Sequence, residues 1–397
     1  VSLFDGRGFI MDDVPAGPAS LGPRRSPLSV VVPVRNGGSD FERCLRWLHN
    51  STWTDFELIV VDDGSTDGSS ALAQDMGAIV ARHERPLGPA AARNRGAQLA
   101  SAPLIFFLDA DVAVHADALS RGMARFVADP SLTALFGSYD DHPPAPDVVS
   151  QFRNLLHHFV HQQGAFDGDT RAVHTFWTGC GMIRRQVFLD FGGFDPRLYP
   201  RPAIEDIELG YRLTRTGHRI VLARDVLATH MKRWSLPEMV RTDIFRRGVP
   251  WMLLLKRSGT VETDLNVKPT QQICVAFTGL ILLALVTLPW NSWAAVVAVL
   301  GPAAIVWLNR DFYRFLGRCR GPGFALAALP LHLVYFTCCG LSVLFALFQW
   351  HVVNRVTLVG SAGAARRKRV DQGAGPIPQP FLARVARRLA RWTTRSR

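Results

Sequence analysis

Two stretches without one charged side chain constrain what this chain can fold into. Residues 269–309 (41 residues) and 321–354 (34 residues) contain no Asp, Glu, Lys or Arg. A soluble domain with the chain's overall 20% charged content rarely sustains such runs, whereas a membrane crossing takes about 20 apolar residues. The first run is too long for one crossing and is interrupted at Asn291, so it predicts a hairpin of helices over 273–290 and 292–308. The second predicts a third span over 324–348, with Pro330 and Gly340 inside it. Lys256, Arg257 and Lys268 precede the first span, and Arg310, Arg314, Arg318 and Arg320 separate the second from the third. The positive-inside bias assigns both segments to the cytoplasm.

The net charge of +12 is concentrated at the C-terminal end: from Arg366 onward ten basic residues face one Asp. A basic tail behind apolar segments fits an anionic membrane surface. No zinc-finger or RNA-binding signature accompanies it, so nucleic acid is not an expected partner. Within the tail, Phe381, Val385, Leu389 and Trp392 alternate with arginines as on an amphipathic helix. The six cysteines form no C-x-x-C pair and read as apolar fillers in a reducing compartment. Residues 1–26, rich in Gly, Pro, Asp and Ser, read as a mobile leader.

Residues 27–235 have the pattern of β-α-β units, short β-branched runs alternating with helical periodicity. Strands are expected at 28–34, 56–61, 78–81, 104–108, 175–182 and 219–222, and helices at 39–49, 65–76, 89–100 and 204–216. Polar clusters follow the strands ending at Val34, Val61 and Leu108, and in an open parallel sheet these ends share the ligand-binding edge. Residues 236–268 mix Met239, Ile244 and Leu254 with Arg241, Arg246 and Arg247, as an amphipathic segment at a membrane surface would. Residues 269–350 are the membrane region and 351–397 the basic tail.

Asp109 and Asp111, one residue apart after an apolar strand, either reach a divalent cation that keeps water and substrate phosphates as its other ligands, or form a solvated turn. Asp62-Asp63-Gly64-Ser65 has the same two readings, ligand binding or turn and helix-cap chemistry. Arg93 on an Ala-rich helix either pairs with a diphosphate or stays solvated. Glu205-Asp206 is either functional or an acidic pair favoured by a helix N-terminus.

The ordered series V-V-V-P-V-R-N, V-V-D-D-G-S-T-D, G-P-A-A-A-R-N, F-L-D-A-D, T-G-C-G-M-I-R-R, F-G-G-F-D-P and I-E-D-I-E-L-G-Y-R-L resembles glycosyltransferase family 2, the inverting enzymes of GT-A fold, over residues 28–256. The resemblance implies a Rossmann-like, mostly parallel α/β sheet followed by transmembrane helices, a nucleoside-diphosphate sugar donor with UDP-sugar the expected one, and Mg²⁺ or Mn²⁺. It implies donor contacts from Pro33, Arg35, Asp62, Asp63, Arg93, Asp109, Trp177, Gly179 and Cys180. Metal ligation falls to Asp111, with Asp109 and His230. Asp206 becomes the general base, with Glu205 beside it, and Arg247 and Trp251 lie on the acceptor or diphosphate side. The expected location is the bacterial inner membrane, multi-pass, with a cytoplasmic catalytic domain.

One motif departs from the pattern. Processive polysaccharide synthases carry Q-x-x-R-W, where this chain has Arg247-Gly248-Val249-Pro250-Trp251. The expectation is therefore transfer of a single sugar to a hydroxyl of a lipid or lipid-linked glycan, in cell-envelope glycolipid or polysaccharide synthesis. Transfer to a polyprenyl phosphate, processive synthesis and a non-catalytic membrane scaffold are the alternatives.

Overall fold

The apolar run Leu28–Val34 forms β1, buried on both faces in the middle of a nine-stranded sheet. The computed structural model describes residues 26–258 and 268–367, with side chains described to residue 352. Most of the leader and the amphipathic pattern at 381–392 lie outside the described residues. All contacts reported below fall within the first of two units, which divide after Leu344.

After β1 come α1 (Gly38–His49), β2 (Phe56–Asp62), α2 (Ser69–Asp75), β3 (Ile79–Arg82), α3 (Pro89–Leu99) and β4 (Leu104–Leu108). β3, β2, β1 and β4 are neighbours and all parallel. α3 lies close on the sheet because Gly96 leaves no side chain there; a Cβ would sit 2.3 Å from Val31 Cγ1. The helix expected over 65–76 begins only at Ser69. The intervening residues cross to the loop after β1 instead: Ser65 Oγ accepts from Asn36 N–H at 2.9 Å, and Asp67 accepts from Gly38 N–H at 2.9 Å.

The second half comprises β5 (Val112–Val114), α4 (Ala118–Ala128), β6 (Leu132–Tyr139), α5 (Val148–His161), β7 (Thr170–Val173), β8 (Cys180–Arg184), α6 (Arg185–Asp190), α7 (Glu205–Arg215) and β9 (Arg219–His230). β8 inserts antiparallel between β4 and β6, and β9 runs parallel to β6, so the sheet becomes mixed past β4. The strand expected over 175–182 is a loop up to Gly179, because Thr178 N–H is donated to Asp206 rather than to a neighbouring strand. β9 continues eight residues beyond the expected Leu222, staying paired with β6 as far as Ala228 while its other edge passes from β7 to β5. That change sets His230 opposite Val112, next to Asp111.

The amphipathic segment is three pieces: α8 (Leu236–Arg241), a π-helical turn (Thr242–Gly248) and α9 (Val249–Ser258). α10 (Pro269–Thr287) and α11 (Trp293–Leu308) form the expected hairpin, followed by α12 (Arg310–Arg320) and α13 (Pro322–Arg367). Among the described residues α10 and the 322–352 part of α13 are each long and apolar enough to cross a membrane, with mean hydropathies of 1.8 and 2.0, and α11 reaches that length only together with α12. α11 has 16 residues, about 24 Å of helix at 1.5 Å per residue, and bends by 78° into the charged α12. Leu283, Val299 and Leu326 on these helices stand 59–72% exposed, an apolar surface of the kind lipid covers.

Candidate functional site

The parallel strand ends converge on one cleft of about 990 Å³, walled by the loops after β1, β2 and β4, by α5, by the start of α7 and by the π-helical turn. Its volume is at the upper end of the range for small-molecule sites. Pro33, Arg35, Asp63, Arg93, Asp109, Asp111, Trp177, Glu205, Asp206, His230, Arg247 and Trp251 all line it. Three expected residues do not.

Asp62 is fully buried beneath the cleft, where it accepts from Ser65 N–H at 2.7 Å and from the Ser70 hydroxyl. It fixes the turn rather than meeting a ligand. Cys180 is also fully buried, on β8 in the hydrophobic core, and burial pushes its thiol up to about 12. Gly179 supports from behind: a Cβ there would lie 2.3 Å from the Trp177 ring, so glycine is what permits that indole to stand in the cleft wall. Asp63 reaches the cleft, but its carboxylate accepts from His83 Nδ1 at 2.8 Å, Leu87 N–H at 2.7 Å and Gly88 N–H at 2.8 Å. Most of its acceptor capacity thus ties β2 to the start of α3.

The basic residue of the Ala-rich helix is neither solvated nor free for a diphosphate. Arg93 is 5% exposed and bridges the two acidic motifs, donating through Nη2 to Asp109 Oδ1 at 2.6 Å and through Nη1 to Glu205 Oε1 at 2.9 Å. Glu205 is likewise consumed, its second oxygen accepting from Ala203 N–H at 2.9 Å. Glu205 therefore ties Arg93 to the backbone just before α7. Asp109, engaged by Arg93, leaves Asp111 as the open carboxylate of its pair, with 37% of its side chain exposed.

Beside Asp111, His230 stacks on Tyr139 with centroids 4.4 Å apart and planes 4° from parallel. Its Nδ1–H donates to Asn154 Oδ1 at 2.7 Å, and its Nε2 faces Asp111 Oδ2, 3.6 Å away. An imidazole oriented through its far nitrogen is the usual preparation of a metal ligand. Burial alone would raise the Asp111 carboxyl, but His230 and then Lys232 hold it below the usual carboxylate range. Among the described residues no three His, Cys, Asp or Glu side chains form an all-protein cage. A cation that takes one or two protein ligands and completes its sphere with phosphates and water needs none, so these residues fit Mg²⁺ or Mn²⁺.

Across the cleft, Asp206 occupies the first turn of α7. Its Oδ2 accepts from Thr178 N–H at 3.1 Å and Thr178 Oγ1 at 3.3 Å, and its Oδ1 from Ile207 N–H at 2.8 Å. Burial and the neighbouring Glu205 charge push this carboxyl up to about 6, against the pull of Arg93.

Arg247 comes to the cleft on the π-helical turn and has no ion pair among the described residues. Burial and the charge of Arg153 depress its guanidinium below the ordinary value. Trp251, one turn on, donates Nε1–H to Tyr211 Oη at 3.2 Å.

Sequence reasoning missed the contribution of β6 and α5. Tyr139, Arg153, His157 and His161 line the inner cleft, with Trp177 edge-on to Tyr139 at 4.7 Å and tilted over His157 at 5.0 Å. Burial holds both imidazoles neutral, His161 down to about 3. The available signal was the i, i+4 pair His157 and His161 on one face of a helix.

Residues 29–192 match the model of the family Glycosyl transferase family 2. The chain is 38% identical over 92 residues to the uncharacterized glycosyltransferase YibD of Escherichia coli K12, covering 22% of this chain and 27% of that protein. It is 31% identical over 231 residues to validoxylamine A glucosyltransferase of Streptomyces hygroscopicus subsp. jinggangensis, covering 50% of this chain and 54% of that one. The chain thus matches about a quarter to a half of the length of these curated relatives. A solved mannosyltransferase of Pyrobaculum calidifontis, PcManGT, in complex with GDP-Man and Mn²⁺, superimposes with a TM-score of 0.49 and 16% identity over 81% of this chain and 88% of that one. Residues 29–192, which bring Asp63, Arg93, Asp109 and Asp111 to the cleft, thus carry the sequence signature of glycosyltransferase family 2, and Asp206 and His230 join the same cleft from beyond the matched residues.

Proposed function

We propose that this chain is a membrane-anchored inverting glycosyltransferase that moves one sugar from a nucleoside-diphosphate sugar to a hydroxyl of a lipid or lipid-linked glycan, with its catalytic domain on the cytoplasmic face of the bacterial inner membrane. The observation that carries the reading is Asp206, a carboxyl pushed up to about 6 and facing the same cleft as Asp111 and His230. A hydroxyl must lose its proton as it attacks, and a base titrating near the working pH accelerates that transfer by about 10²- to 10⁴-fold. Asp206 accepts the proton while the acceptor oxygen bonds to the anomeric carbon and the bond to the diphosphate oxygen breaks on the opposite face. Thr178 and the start of α7 hold the carboxylate for that role.

Asp111 and His230 would hold Mg²⁺ or Mn²⁺, which supplies charge neutralisation at the departing diphosphate. Pro33 and the ring of backbone held by Asp63 form the wall offered to the base. The membrane helices support a lipid-borne acceptor. Arg247, a cation in the cleft without an ion pair among the described residues, favours as second reading a lipid phosphate acceptor, whose ionised oxygen needs less of a base.

The test is a thermal-shift screen of detergent-solubilised protein against nucleoside diphosphates with and without Mn²⁺. A metal-dependent rise with one nucleotide is expected and identifies the donor class. Folded protein that responds to none of them removes the catalytic reading.

A further inference from the structure

α12 is a short helix with two unlike faces. Phe312, Tyr313 and Leu316 are buried, in contact with Phe152 and Phe159 of α5 or His332 of α13. Arg310, Arg314 and Arg318 are exposed on the other side. At 100° per residue these three fall within about 80° of one another, so they form a row along the face turned away from the catalytic domain. Among the described residues only Arg314 has an ion pair, an exposed one with Asp311 at 3.3 Å, and such pairs are weak. At the other end of the helix Arg320 clamps α12 to the cleft-lining half, donating to Gln151 Oε1 at 2.7 Å and to the Asp141 carbonyl at 2.8 Å.

The bend explains the position of the row. α11 turns by 78° into α12, so if α11 runs into the bilayer, α12 lies nearly in its plane. Trp307, the penultimate residue of α11, is 66% exposed, and Arg310 stacks over its ring at 5.7 Å. Trp290 and Trp293, at the opposite turn of the α10–α11 hairpin, are 82% and 76% exposed. Indoles at both ends of an apolar hairpin mark the two membrane interfaces, and α12 lies at the Trp307 level.

We infer that the arginine row of α12 binds the phosphates of anionic phospholipids in the bilayer that holds α10 and α13, with α12 lying between that surface and the catalytic domain. The inference rests on the membrane reading above. Clustered positive charge at headgroup depth is the complement of an anionic lipid surface. Through Arg320 the lipid-bound helix fixes the height of the cleft above the headgroups.

The experiment uses the full chain and the Arg310→Gln/Arg314→Gln/Arg318→Gln variant, whose changes are all at exposed positions. Both are first floated with phosphatidylcholine vesicles; failure of the unaltered chain to float overturns the membrane reading itself. The unfolding midpoint in detergent is then followed on adding phosphatidylglycerol, phosphatidylcholine or soluble glycerol phosphate. Phosphatidylglycerol alone should raise the midpoint of the unaltered chain by several degrees, and the triple variant should lose most of that rise while keeping its midpoint in phosphatidylcholine. An equal rise in both proteins, or an equal effect of phosphatidylcholine, overturns the inference. A rise with glycerol phosphate equal to that with the lipid also overturns it, by showing a free-phosphate site in place of a membrane surface.

Discussion

Asp111 and Asp206 face the same cleft, yet their surroundings push them in opposite directions. Asp111 follows a strand end, with an imidazole 3.6 Å away and Lys232 beyond, and is held below the usual carboxylate range. Asp206 sits at a helix start with another carboxylate as its sequence neighbour, and burial together with that charge raises it to about 6. Pairs of titratable groups driven apart in this way divide acid–base roles between them. Asp111 stays ionised and suits a cation; Asp206 exchanges its proton near neutrality and suits a base. Both strands of the comparison pass through Arg93, which pairs with the neighbour of each, Asp109 on one side and Glu205 on the other.

The sharpest way to break the comparison is Asp206→Asn. Turnover should fall by about 10²- to 10⁴-fold, with the metal-dependent nucleotide shift unchanged. Stability gives the control. A carboxyl whose folded-state value lies above its unfolded value binds its proton more tightly when folded, so its destabilising effect builds as the pH rises from the ordinary carboxylate range to about 6 and is complete above it. Asn removes that penalty, and the unfolding midpoint at pH 8 should hold or rise. A variant that loses nucleotide binding together with turnover would place Asp206 on the donor side instead.

Arg93→Ala attacks the link between the two carboxylate motifs. It strands Glu205, 4% exposed, without its partner, and losing one member of a buried pair costs about 3–5 kcal/mol. The expected result is a large fall in the unfolding midpoint, exceeding that of Arg35→Ala on the exposed rim. Equal, small effects would mean that Arg93 serves ligand and not fold.

Arg93 also shows where reading from sequence alone stops. β1, β2 and β4 were legible because a strand covered on both faces must be continuously apolar, and the polar residues that follow each had to share one edge. The partner of Arg93 was not legible, since 112 residues separate it from Glu205 and no local pattern encodes that distance. The same holds for α5, whose Asn154 orients a histidine 76 residues away. Residues 175–179 misled for a local reason: their β-branched and aromatic composition favours a strand, but Asp206 takes the Thr178 N–H that a neighbouring strand would need. The 78° bend at Asn309 was not legible either, since hydropathy does not register it.

A smaller effect sharpens the Asp111 side. His230→Ala removes the imidazole that points at Asp111 and should weaken the Mn²⁺ dependence of nucleotide binding by about 10- to 100-fold, as losses around a metal site do. Asn154→Leu should give part of the same loss by freeing the ring to rotate. Metal dependence unaltered in both would remove His230 from the metal site and leave the cation to Asp111 and the diphosphate.

The finest test separates the charge of Glu205 from its hydrogen bond. Glu205→Gln keeps a side-chain carbonyl for Arg93 Nη1 while removing the negative charge that raises Asp206. For the unaltered chain, kcat/KM should decline as the pH falls through about 6, because the base is lost on protonation. Asp111, held below the usual range, adds nothing to that limb. With the like charge gone and Arg93 still present, Asp206 becomes easier to ionise, so the limb should move to lower pH, by up to about one unit. His230→Ala should leave its position unchanged. A limb that moves upward, or one that follows His230 and ignores Glu205, would assign the titration to the metal side of the cleft and reverse the roles given to the two carboxylates.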